Sequence, residues 1–141
     1  MNRFNYAIWF IPEESSDWHN YTNGCIPHMT IQAYLTYDEA VELYNIIKQD
    51  IEETIVYLDT IKCSSESDFS ALYYDISTNS KYDWWPSNAH ISFRYSYEPF
   101  TENDIEEFKH MYIPKIGILD HIRVVNCNGF FKDWAKKNDI I

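Results

Sequence analysis

Two segments of this chain alternate apolar and polar residues and place the same chemistry on the polar side. In Pro27 to Tyr34, His28, Thr30 and Gln32 fall on one face, and Met29, Ile31 and Ala33 on the other. In Ala89 to Tyr97, His90, Ser92 and Arg94 alternate with Ile91, Phe93 and Tyr95. A period of two is the signature of a half-buried strand and does not fit one face of a helix. Each segment is followed by a threonine and a run of acidic residues: Thr36-Tyr37-Asp38-Glu39 and Thr101-Glu102-Asn103-Asp104. A threonine cap with carboxylates in the first turn is a strong helix start. After Thr36, the apolar residues Ala40, Leu43, Tyr44, Ile47 and Ile51 recur at helical spacing.

Around this duplicated unit the remaining elements fall into place. Tyr6-Ala7-Ile8-Trp9-Phe10-Ile11 reads as a buried strand stopped by Pro12. Residues 13–26 read as a loop, Ile55 to Ile61 and Phe69 to Ile76 as strands, and Ser77 to Ser87 as a turn-rich stretch holding Trp84-Trp85-Pro86. One strand is expected over Ile118 to Val125, and a short final one from Trp134. With 141 residues and no linker or low-complexity tract, this is one α+β domain, 1–141, with two lobes. A chain of this size builds a core without disulfides or metal.

Charge and cysteine content narrow the function. Asp and Glu number 22 against 11 Lys and Arg, a net charge of −11. Such a chain repels long polyanions, whose non-specific binding depends on basic patches, but a small nucleotide in a shielded pocket is compatible with it. No stretch approaches the ~20 apolar residues of a membrane span, and Pro12-Glu13-Glu14 ends the apolar opening before a secretory signal develops. Cys25, Cys63 and Cys127 are odd in number and widely spaced, which fits reduced thiols and a cytoplasmic protein. No C-x-x-C or H-E-x-x-H spacing suggests a metal, and we expect no cofactor.

The chemistry-bearing residues are the paired tripeptides. Residues i and i+2 of a strand share a face, so each copy aims one imidazole and one hydroxyl the same way. Two imidazoles with ordinary titration near 6.5 can supply a neutral base and a protonated acid together near neutral pH. The two hydroxyls can hold non-bridging phosphate oxygens as charge builds. A single H-x-[ST] tripeptide is common by chance; two copies ahead of capped helices are far less so. Two core histidines in a structural domain remain the plain alternative.

These motifs carry a resemblance to the 2H phosphoesterase superfamily, named for paired H-x-[ST]-x motifs, and within it to the plant-type cyclic phosphodiesterases of eukaryotes. The similar stretches are Tyr6-Ala7-Ile8-Trp9-Phe10-Ile11-Pro12, Ile26-Pro27-His28-Met29-Thr30, Ala33 to Ala40, and His90-Ile91-Ser92-Phe93-Arg94-Tyr95. The resemblance spans about residues 5 to 112, and Ala89 stands where many relatives have Pro. It implies two antiparallel sheets flanking a central groove, with outer helices, and hydrolysis of 2′,3′-cyclic nucleotides or ADP-ribose 1″,2″-cyclic phosphate without a metal. It implies His28 and His90 as the acid–base pair, with His90 activating water and His28 protonating the leaving oxygen. Thr30 and Ser92 would bind phosphate, and Tyr95 would line the site. By alternation Tyr95 has the wrong parity to join His90 unless the strand bends.

Four more residues are candidate substrate contacts. Trp9 would stack on a base or fill the core. Arg94, on the face of His90 by alternation, would meet a second phosphate or form a salt bridge. Trp84 and Trp85 would form a lid over the site or a plug on the sheet. His19, His110 and His121 are expected to be structural or at the surface. The expected partner is a small nucleotide or short oligonucleotide, with no long nucleic acid, no membrane and a monomeric chain. Signalling nucleotides, as cyclic dinucleotides or 2′,5′-oligoadenylate, are a second substrate class. A non-catalytic nucleotide- or RNA-end-binding module is a third reading.

Overall fold

A computed structural model describes residues 5–23, 25–65 and 69–127. It shows an α+β chain with seven strands and two α-helices among the described residues: β1 (Tyr6–Ile11), β2 (Met29–Leu35), α1 (Tyr37–Ile47), β3 (Thr54–Ser65), β4 (Ser70–Thr78), β5 (His90–Ser96), α2 (Glu102–Lys109), β6 (Ile116–Leu119) and β7 (His121–Asn126). The expected strand from Trp134 lies outside the described residues. A short 3-10 turn, Asp17–Asn20, interrupts the loop expected over 13–26. No helix is long and apolar enough to cross a membrane among the described residues.

Both helices start where the sequence places them, for the same reason. Thr36 Oγ1 accepts from Glu39 N at 3.2 Å, and Glu39 Oε1 accepts from Thr36 N at 2.9 Å. Thr101 and Asp104 repeat this reciprocal cap at 3.1 and 2.9 Å. Each box satisfies two donors that the first turn would otherwise leave without partners.

All strand pairs are antiparallel, in the order β6-β3-β4-β5-β2-β1-β7. Where the resemblance implies two separate sheets, the strands form one continuous sheet. Its centre is narrow, because β2 and β5 meet only at Met29↔Ile91. The expected strand over Ile118 to Val125 is two strands, broken at Asp120. β6 pairs with β3 at one edge of the sheet, and β7 pairs with β1 at the other. One residue separates them, so the sheet must curl until its edges approach, since a few residues of chain reach only about 3.5 Å each.

One face of the sheet carries the main core: Ile8, Phe10, Met29, Leu72, Ile91 and Phe93 pack there with Ala40 and Ile47 of α1 and Phe108 of α2. The other face, which we call the histidine face, holds a smaller apolar cluster of Ala7, Trp9, Ile11, Cys25, Ala71, Tyr95 and Val125. On the core face Trp18 is 1% exposed, donates Nε1–H to Pro114 O at 2.8 Å, and lies over Gly117, where any Cβ would run into its ring.

Candidate active site

The Met29↔Ile91 pair decides how the two motifs meet. On either side of it, antiparallel pairing sets His28 beside Ser92 and Thr30 beside His90. Each histidine thus neighbours the hydroxyl of the other motif, and the two imidazoles lie on a diagonal, with backbones roughly 7–8 Å apart. All four residues belong to the histidine face.

Both imidazoles are held in the same way. His28 Nδ1 lies 2.8 Å from Ile26 O, and His90 Nδ1 lies 2.9 Å from Asn88 O. A carbonyl only accepts, so each Nδ1 carries its proton and each neutral ring keeps its Nε2 lone pair free for chemistry. Their surroundings differ. His28 is 6% exposed and stacks face to face on Trp9, with ring centroids 3.5 Å and planes 9° apart. His90 is half-buried, with the Tyr73 ring 4.8 Å away at 54°. Burial pushes the His28 imidazole down to about 4, helped by the positive charge His90 would carry and opposed by the bond to Ile26.

A bulge in β5 exchanges the faces of Arg94 and Tyr95. Ser92 pairs with Tyr73, but Arg94 pairs with Leu72, so Phe93 is an extra residue on β5. Beyond it the parity reverses. Tyr95, opposite Ala71, lies on the histidine face, where simple alternation would not put it, but it is buried in the apolar cluster there. Arg94 does not share the face of His90. Its guanidinium donates to Tyr21 O and reaches Met111 Sδ at 3.3 Å, on the core side. Tyr95 is buried and hydrogen-bonds with both Cys25 and Ser92, so it supports a motif hydroxyl from beneath. Burial and the neighbouring Cys25 hold its phenol well above the usual value.

Asn23 pins this bulge to the loop that leads into His28. Its backbone N–H donates to Phe93 O at 3.1 Å, its Oδ1 accepts from Tyr95 N at 2.7 Å, and its Nδ2 donates to Tyr95 O at 3.3 Å. Burial pushes the Cys25 thiol up to about 12, so it is a protonated packing group and no nucleophile.

The tryptophans take structural places. Trp9, at 1% exposure beneath His28, has no free face for a base. Trp84 and Trp85 pack against the main core, with Trp84 5.9 Å from Phe10 and stacked on Tyr82 at 4.4 Å. They plug the face opposite the histidines and form no lid over them. His19 and His121 bond to Glu13 O and Asp120, and His110 lies 3.8 Å from Glu106, so all three are structural or peripheral.

Sequence reading missed the outer neighbours. Lys62 pairs with Tyr73, and Tyr73 with Ser92; Arg123 pairs with Trp9, and Trp9 with Thr30. Each motif hydroxyl is therefore flanked outward by an aromatic residue and then by a cation, on the same face. Asp75, paired with His90, holds Lys62 Nζ at 2.7 Å. Alternation in Phe69 to Ile76 already sets Tyr73 and Asp75 on one face; the signal was present but lacked the register. A cavity lined by Lys109 to Ile113 and Lys115 follows α2 and contains no motif residue. Among the described residues, no three His, Cys, Asp or Glu side chains gather as a metal-ligand set.

No protein-family model matches this chain, and no curated protein matches it either.

Proposed function

We propose that this chain is a two-histidine phosphodiesterase of the 2H type, with the two halves of its sheet as the lobes, that hydrolyses a small cyclic or RNA-like phosphodiester in the cytoplasm. The observation that carries the reading is the crossed arrangement about Met29↔Ile91: two Nδ1-anchored imidazoles, each beside the hydroxyl of the other motif. Structural histidines have no need of two matched hydroxyls, and a binding module has no need of two titratable rings.

The chemistry follows from the difference in burial. At pH 7 the buried His28 is neutral, and its Nε2 takes a proton from the attacking water or hydroxyl. Protonated His90, the more open ring, gives its proton to the leaving oxygen. This reverses the roles that the resemblance implies. Thr30 and Ser92 hold the non-bridging oxygens, and the Tyr95–Cys25 contact keeps the Ser92 hydroxyl aimed. The steps need no metal ion.

The test is turnover on a panel of 2′,3′-cyclic mononucleotides, cyclic dinucleotides and 2′,5′-oligoadenylate, read by product mass. His28→Ala and His90→Ala should each lower turnover by about 10²–10⁴. Undiminished hydrolysis by the double variant would exclude the mechanism, and tight binding without turnover by the wild type would favour a binding module.

A further inference from the structure

Lys62 holds a position that the two-histidine chemistry leaves unused. It stands on β3, two strands out from Ser92 through Tyr73, on the histidine face. Two inter-strand steps are roughly 10 Å. The side chain does not stay over β3, because its Nζ lies 2.7 Å from Asp75 Oδ2, and Asp75 is the β4 partner of His90. The carboxylate thus draws the ammonium one strand inward, toward the catalytic pair. An ammonium has three N–H donors, and Asp75 Oδ2 takes one. The Lys62 side chain is 53% exposed, so its other donors are open to a ligand. Arg123 occupies the equivalent position behind Trp9 and Thr30. A cation two strands beyond each hydroxyl is therefore a repeated feature of the two halves, in a chain of net charge −11.

We propose that Lys62, held by Asp75, binds a second phosphate of the ligand. The preferred ligand is then a nucleotide with phosphate groups at two separate positions, as in a linear or cyclic di- or oligonucleotide, and a cyclic mononucleotide fills only the central subsite. This inference rests on the phosphodiesterase reading for the central site, and it decides between the substrate classes considered there. The scissile phosphate lies between His28 and His90, the ring of Tyr73 borders the intervening nucleoside, and the outer phosphate meets Lys62. Bidentate geometry is not required, so a lysine serves as a point charge.

The experiment measures binding without turnover. Adenosine 2′-monophosphate and adenosine 2′,5′-bisphosphate are titrated calorimetrically into wild type, Lys62→Met and Lys62→Arg, each checked for an unchanged melt. Wild type should prefer the bisphosphate by about fivefold or more, the strength of a partly exposed charge pair. Lys62→Met should bring the bisphosphate to the monophosphate level, and Lys62→Arg should keep the preference. Equal binding of the two probes by wild type, no binding of either, or a preference that survives Lys62→Met would overturn the subsite. Preference lost with Lys62→Met in a protein that hydrolyses nothing would keep the subsite and reject the catalytic reading. Hydrolysis without any preference would do the reverse.

Discussion

The burial of His28 makes a quantitative prediction about stability against pH. An imidazole in an unfolded chain titrates near 6.5, whereas desolvation brings His28 down to about 4 in the folded protein. Between these values the unfolded chain binds the proton and the folded one does not. Stability therefore rises with pH across this window and is lost as pH falls from about 6.5 toward 4. The gap corresponds to about 3 kcal/mol in total, of which about 2 kcal/mol is already lost at pH 5. Carboxylates titrate in the same range, so the contribution of His28 is isolated by comparison with His28→Gln, which cannot titrate. Urea melts at pH 7.5 and pH 5 should show wild type losing about 2 kcal/mol more than the variant. The His28 ring resonance, followed by NMR, should titrate near the same low midpoint. A midpoint between 6 and 7, or equal pH slopes for the two proteins, would refute the claim that burial against Trp9 keeps this ring neutral.

The same shift sets the acid limb of the rate profile: with His28 as base, kcat/KM should fall only below about pH 4, whereas His28 as acid would lose activity above it. Tyr95→Phe removes the hydroxyl between Cys25 and Ser92. It should cost about 1–3 kcal/mol in a urea melt and lower kcat, and adding it to Ser92→Ala should cost little further turnover because both act through one contact. Gly117→Ala drives a methyl into the Trp18 ring, which its bond to Pro114 O keeps from retreating. It should destabilise by about 1–3 kcal/mol and shift the tryptophan emission, and an unchanged melting temperature would show that the ring yields.

What the chain discloses in sequence is its local periodicity, and what it hides is register. Alternation around His28 and His90 and the caps at Thr36 and Thr101 are local patterns, and the structure repeats them. Two of the misplaced features depend on a single residue breaking the count. Phe93 bulges from β5 and exchanges the faces of Arg94 and Tyr95. Asp120 splits the strand expected over Ile118 to Val125 into two strands on opposite edges of the sheet. Neither residue is a glycine or proline that would mark the break. Trp84 and Trp85 lie in a loop, and nothing local says which face that loop closes. Lys62 and Arg123 acquire meaning only through the partners opposite them.

Duplication alone would also make a poor acid–base pair. Two identical motifs crossing at Met29↔Ile91 would present two equivalent imidazoles, both neutral or both charged for much of the pH range, whereas catalysis needs one of each. The departure from symmetry lies in the chain before β2. Asn23 ties that segment to Phe93 and Tyr95, Cys25 packs into the cluster beneath, and Trp9 stacks on the ring, so His28 is sealed while His90 stays half-open. In the proposed mechanism, this segment before β2 thereby sets which of the two rings is the base. Loosening it, as Asn23→Ala would, should raise the His28 midpoint from about 4 toward the usual imidazole value before it unfolds the sheet. A His28 resonance that keeps its low midpoint in that variant would move the source of the asymmetry from the loop to Trp9.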